Sequence, residues 1–205
     1  MTIQGLPSAT TALLVVDMQN DNIHADGAFA STGAADHAEV QGVIRNVRTV
    51  LDAARAAGAP VFHNRIVVYP QRPVGWQNAP IFRMLGPESL KVGTWGAEIV
   101  DGVDVREDEI VLDRMRMSAF HGSSLDAMLR NLGVTDVIVV GVWTNMAVEH
   151  TVRDAADLGY RVTIVSDATS SINAEWQHAA LNYALMNIAT VTDTAAVTVA
   201  LGGGN

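Results

Sequence analysis

The chain has 205 residues, 49% apolar and 17% charged, a composition that folds and a length too short for two domains of ordinary size. A formal net charge of −9 with no run of Lys or Arg excludes a nucleic-acid partner, because phosphate binding needs clustered cations. No cysteine is present, which closes off disulfide scaffolding, thiolate metal sites and thiol catalysis together.

The first eleven residues lack a basic stretch followed by an apolar one, and no apolar run approaches the roughly 20 residues of a membrane span. A cytoplasmic protein with no membrane partner is expected. Ala12–Val16 is a continuous apolar run closed by Asp17, the pattern of a strand buried on both faces. Val40, Val43, Ile44, Val47, Val50, Leu51 and Ala54 recur at helical spacing, and Gly58 stops that helix. Pro60–Phe62 begins a second strand and Ile110–Leu112 a third, closed by Asp113. Between them, residues 64–108 form a long stretch rich in Pro, Gly and Trp with little periodicity, the mark of a functional or disordered loop.

Ser123 or Ser124 caps a helix whose inner face is Leu125, Met128, Leu129 and Leu132, ended by Gly133. A strand over Val137–Val140 follows, then a helix face of Val148, Thr151, Val152, Ala155 and Ala156, then a strand over Val162–Val165. Asn173 caps a helix carrying Trp176, Ala179, Ala180 and Tyr183, and Val191 opens a last short strand. Residues 200–205, with their three glycines, read as a flexible tail. Strands alternating with helices predict one α/β domain over residues 1–205. It is a Rossmann-like three-layer sandwich, with six mostly parallel strands and helices on both faces.

In such a sheet, ligands bind beyond the carboxyl ends of the strands. Asp17 follows the first strand, Arg114 the third, and the turn Gly141–Ala147 the fourth. Each has a plain reading as well: Asp17 as a loop cap, Arg114 as a structural ion-pair partner, Thr144 or Asn145 as a helix cap. Their occurrence at three separate strand ends favours a site. A helix start after the fourth strand also presents N–H groups to an anion or developing oxyanion.

These residues carry a resemblance. Asp17-Met-Gln19-Asn20-Asp21, Gly93-Thr94-Trp95-Gly96, Arg114-x-Arg116-x-Ser118-Ala119-Phe120 and Gly141-Val-x-Thr144-Asn145-x-x-Val148-Glu149, with Thr151 and Arg153-Asp154-Ala155, resemble the isochorismatase-like hydrolases. The group includes isochorismatases, nicotinamidases, N-carbamoylsarcosine amidases and ureidoacrylate amidohydrolases. The resemblance runs from about Thr11 to Thr194, and His24–Phe29 is similar to the ureidoacrylate and carbamoyl-amide branch. It implies a catalytic Asp at Asp17, a Lys position held here by Arg114, and a Cys position held by Ala147. It also implies an oxyanion site at the Trp143 and Ala147 amides, with a non-proline cis peptide before Trp143.

A methyl group cannot attack a carbonyl, so covalent thioester chemistry is closed to this chain. Arginine keeps lysine's charge but does not give up its proton. The isochorismatase branch, with glycine at the Cys position, shows how chemistry proceeds without a thiol. The reading that follows is a hydrolase of a small polar metabolite, using water and Asp17 as the proton-transfer group: a general base if the fixed Arg114 charge holds it ionised, a general acid if desolvation dominates. The alternatives are a non-catalytic ligand-binding or scaffold protein of the same fold, and a C–N amidohydrolase with its nucleophilic Cys replaced by Ala.

Gln19, Asn22, Trp76, Trp95, Phe120 and Thr144 are the candidate substrate contacts. Trp76, Trp95 and Phe120 are candidates for an aromatic wall, with core packing as the alternative, and Gly93–Gly96 reads as a structural turn. Asn22 replaces an aromatic residue usual in the family and points to a more polar pocket. His63 lacks the partners of the nicotinamidase metal site, and the other histidines show no convergent spacing, so no metal and no cofactor are expected. His121 and His150 are expected at the surface, and Met84, Met115 and Met117 in packing. By resemblance the chain is expected to form a homo-oligomer.

Overall fold

A computed structural model describes residues 5–70 and 77–202. The main elements are β1 (Thr11–Val16), α1 (Asn20–Ile23), α2 (Ala34–Gln41), α3 (Val43–Ala57), β2 (Val61–Ile66), α4 (Pro80–Arg83), β3 (Ile110–Arg114) and α5 (Leu125–Asn131). They continue through β4 (Asp136–Val142), α6 (Glu149–Asp157), β5 (Arg161–Ser170), α7 (Ala174–Ala179), β6 (Thr190–Thr192) and α8 (Thr194–Gly202). The six strands form one sheet in the order β3-β2-β1-β4-β5-β6. Every adjacent pair is parallel. This is an α/β three-layer sandwich.

Every residue of β1 is buried, because alternate side chains enter two different apolar layers. Leu13 and Val15 pack with Val43, Val47, Val50 and Leu51 of α3 and with Val197 and Leu201 of α8. Ala12, Leu14 and Val16 pack with Leu125 and Leu129 of α5 and with Val148 and Val152. A third apolar cluster joins Phe29, Ile66, Val68, Phe82, Leu85 and Leu90, with Met117 and Trp143 against it. That cluster lies past the ends of β2 and β4. The strand order reverses between β1 and β4, the switch point where open α/β sheets bind ligands.

Several boundaries differ from the sequence pattern. Gly42 at φ 64° separates α2 from α3, so Val40 belongs to the earlier helix and is 85% exposed rather than core-facing. Leu132 is half-exposed just beyond the end of α5, leaving Leu125 and Leu129 as its buried face. Asn173 caps α7 by accepting from Trp176 N–H at 2.9 Å, but Gln177, Ala180 and Leu181 turn inward while Trp176 and Tyr183 face out. Periodicity found that helix and missed its rotation. Residues 200–202 close α8, with Ala200 and Leu201 buried, and so are not a loose tail; 203–205 lie outside the described residues. Within 64–108, α4 and two isolated β-bridges, Gln19 with Ile99 and Val68 with Lys91, tie the long segment to the sheet end. Among the described residues, no helix is long and apolar enough to cross a membrane.

Candidate active site

Asp17 is the first residue past β1. Its N–H is held by the Asn64 carbonyl at 2.8 Å, and its φ of 52° lies in the left-handed region uncommon for residues with a side chain. Arg114 ends β3, two strands away, paired in register with Ile66. Its guanidinium donates Nη1 to Asp17 Oδ1 at 2.6 Å and Nη2 to Oδ2 at 3.0 Å, and Nη2 also donates to the Met117 carbonyl at 2.5 Å. The Ile66 N–H gives Oδ1 a further bond of 2.9 Å. Both side chains are almost fully buried, at 1% and 4% exposure for Arg114 and Asp17.

Burial pushes the Asp17 carboxyl above its ordinary value, against the pull of the Arg114 charge, the Arg114 hydrogen bonds and the Ile66 N–H. Asp17 thus holds a proton more tightly than a solvated aspartate, while facing a guanidinium that stays charged.

The end of β4 supplies the third part. Gly141 has φ 115°, and a Cβ there would overlap the Val16 carbonyl, so only glycine lets β4 run this close to β1. The Val142–Trp143 peptide is cis. A π-helical turn over Thr144–Val148 leads into α6. Thr151 Oγ1 donates to the Ala147 carbonyl at 2.7 Å and accepts from Ala119 N–H at 3.0 Å, tying this turn to the segment after β3. The side chain of Asn145 accepts from Ser171 Oγ.

Asp17, Asn22, Trp143 and Ala147 line one small cavity of about 40 Å³. That is room for a few waters. Ala147 is 2% exposed, and its methyl stands in the wall. Asn22 lines the cavity, yet its Nδ2 is committed to the Asp17 carbonyl at 3.0 Å, and its own carbonyl accepts Trp143 Nε1 at 3.0 Å. The other described lining residues are apolar, in contrast to the polar pocket expected from Asn22. They include Phe29, Ile66, Leu85, Leu90, Met117 and Met146.

Other candidates fall elsewhere. Gln19 is fully buried and away from the cavity. Its Nε2 donates to the carbonyls of Ile66 and Ala97 at 3.0 and 2.9 Å, and its Oε1 accepts from Ile66 N–H at 3.0 Å. It straps the loop after β1 to its neighbours. Trp95 is half-exposed with its ring edge-on to His24, and Phe120 stacks on Tyr160, so neither walls the cavity. Thr144 is buried with Oγ1 unpartnered and does not line the cavity either. Trp76 lies outside the described residues. Met84 and Met117 line the cavity, going beyond packing alone. His121 and His150 line an adjoining cleft that shares Ile81, Met117 and Met146 with the cavity. His63 is buried against Glu109, with Nε2 to Oε2 at 2.9 Å, and among the described residues no three His, Asp or Glu converge as metal ligands.

The sequence left Asp21 unassigned. Its carboxylate accepts from Ala28 N–H at 3.0 Å and Leu90 N–H at 2.6 Å, and it lies against Gly96, where a Cβ would collide with it. Asp21 therefore gathers three loops around the site, which accounts for Gly96 in the Gly93–Gly96 turn.

An isochorismatase domain matches residues 11–196. The chain belongs to the isochorismatase family. Among the relatives of this isochorismatase-family chain is the ureidoacrylate amidohydrolase RutB of Methylobacterium radiotolerans. It is 33% identical over 96% of this chain and 81% of its own length. A probable inactive nicotinamidase of Arabidopsis thaliana is 35% identical over 90% of this chain and 92% of its own. The crystal structure of N-carbamoylsarcosine amidase from Thermoplasma acidophilum superposes with a TM-score of 0.72 at 29% identity, covering 90% of this chain and 96% of that one. A cysteine hydrolase from Pseudomonas syringae shares the fold at TM-score 0.84 and 24% identity, covering 100% of this chain and 98% of that one. In this isochorismatase-family chain no cysteine exists, in keeping with alanine at the cysteine position.

Proposed function

We propose that this chain is a hydrolase of a small metabolite in which water is the nucleophile and Asp17 the proton-transfer group. The observation that carries the reading is the buried two-point pairing of Arg114 with Asp17 beside a cavity bounded by the Ala147 methyl. Burial, the larger effect, raises the affinity of Asp17 for a proton, and the Arg114 guanidinium pulls against it toward the ionised form. Asp17 accepts one proton from a water held in the cavity as the water oxygen bonds to the substrate's electrophilic carbon. The electron pair displaced onto the substrate oxygen is stabilised by the backbone amides of Trp143 and Ala147. Collapse breaks the scissile bond, and the proton on Asp17 passes to the leaving group. Arg114 holds the carboxylate throughout and transfers nothing.

The test is a product screen by mass spectrometry over small amides, with wild type beside Asp17→Asn. Turnover by wild type and loss of at least a hundredfold in the folded variant are expected, in line with the 10²–10⁴-fold of a general base. Equal turnover by the two would end the reading.

A second reading, ligand binding without chemistry, is favoured by Ala147 together with the likeness to a relative named as probably inactive. Binding of a small amide with no product at any pH would select it.

A further inference from the structure

We infer that the cavity selects a neutral ligand with an apolar body and excludes one with a second, anionic end. The inference rests on the proposed site and names its substrate class. Phe29, Leu85 and Leu90 belong to the apolar cluster beyond the sheet end, and Met117 packs against it; all four present side chains to the cavity, joined by Ile81 and Met146. The one charged side chain among the described lining residues is Asp17, and both of its carboxylate oxygens are engaged by Arg114. Among the described residues, charge at the cavity is therefore already balanced. A second carboxylate entering it would lose its hydration and meet no unpaired cation among the described lining residues, the costly case for burying a charge. The field of a chain with net charge −9 acts against it as well.

The neighbouring cation, Arg116, faces the adjoining cleft, with its guanidinium 4.8 Å from the Phe82 ring centre and Nη1 donating to Asn78 Oδ1 at 3.1 Å. Methionine side chains are unbranched and polarizable, so Met84, Met117 and Met146 let the walls reshape around an aliphatic chain larger than the resting space.

Isothermal titration calorimetry on the full chain tests this with three probes that share a primary amide. Valeramide ends in an alkyl chain, succinamide in a second neutral amide, and succinamate in a carboxylate. Valeramide is expected to bind most tightly, at least tenfold tighter than succinamate, with succinamide between them. Met84→Lys places a cation at a half-exposed position of the wall and is expected to raise succinamate affinity at least tenfold. Succinamate binding as tightly as valeramide in the wild type, no heat from any probe, or no gain in the lysine variant would each overturn the inference. Binding is read without turnover, so valeramide that binds but yields no product would sink the proposed chemistry and leave the ligand class intact.

Discussion

Arg114 reaches across from the end of β3 to take both oxygens of Asp17 at 2.6 and 3.0 Å, with the two side chains buried together. Neither group is tolerable there without the other. Truncation to Arg114→Ala leaves an uncompensated buried carboxylate, and the expected loss is about 3–5 kcal/mol. Arg114→Lys retains a charge but engages the carboxylate at one point, so its loss should be smaller. Urea unfolding of the three proteins checks the order, and an alanine variant as stable as wild type would contradict it.

Gly141 is a backbone requirement. At φ 115°, with a Cβ directed into the Val16 carbonyl, Gly141→Ala must either part β1 from β4 or distort the turn that carries Trp143 and Ala147. A loss of about 3 kcal/mol is expected from strain and overpacking combined. Thermal unfolding followed by circular dichroism measures it, and an unchanged midpoint would refute the requirement.

The sheet was legible where its strands hold continuous apolar runs, as in Leu13–Val16 ahead of Asp17 and Val137–Val140 ahead of Gly141, whereas β2, with His63, Asn64 and Arg65 inside it, showed only its start. The placement of Asp17 and Arg114 at strand ends was legible because such a position is a local property. The walls of the cavity were not. Phe29 and Leu90 are held near one another by Asp21, whose backbone carbonyl takes the Phe29 N–H and whose carboxylate takes the N–H of Leu90, 69 residues away in sequence, and no periodicity encodes such a contact. Trp95 and Phe120 were misplaced because an aromatic side chain in a loop carries no directional signal. The rotation of α7 was misread because Trp176 and Tyr183 are apolar by type and exposed in fact.

A second buried cluster makes stability depend on acid. Glu109 Oε1 lies 2.7 Å from Arg55 Nε, and Oε2 lies 2.9 Å from His63 Nε2. Burial raises the Glu109 carboxyl, but the Arg55 hydrogen bonds, the Arg106 N–H, His63 and the Arg55 charge outweigh it and bring it from 4.5 down to about 2. A folded-state value below the unfolded one gives stability that is present above pH 4.5 and is lost as pH falls toward about 2. The contribution is on the order of 2 kcal/mol after allowance for partial solvent screening. Denaturant titrations over that range should show wild type losing more stability than Glu109→Gln, and parallel curves would disprove the assignment.

Ala147→Cys tests whether the vacant position still opens on the cavity. The chain has no other cysteine, so any thiol adduct identifies this residue. The Ala147 methyl lines the cavity, and a sulfur in its place needs little added room, so the expected stability change is under about 1.5 kcal/mol. The turn at the start of α6 and the Arg114 charge lower the thiol's pKa, while the Asp17 carboxylate raises it. A net thiolate fraction at neutral pH sufficient for single alkylation by iodoacetamide in the folded protein is expected, slowed by bound valeramide. Alkylation only after unfolding would mean that the methyl has no route to solvent-borne reagents, and a substrate could not reach it either. Amide hydrolysis gained by the same variant would move the chemistry from water activated by Asp17 to a thiol at residue 147.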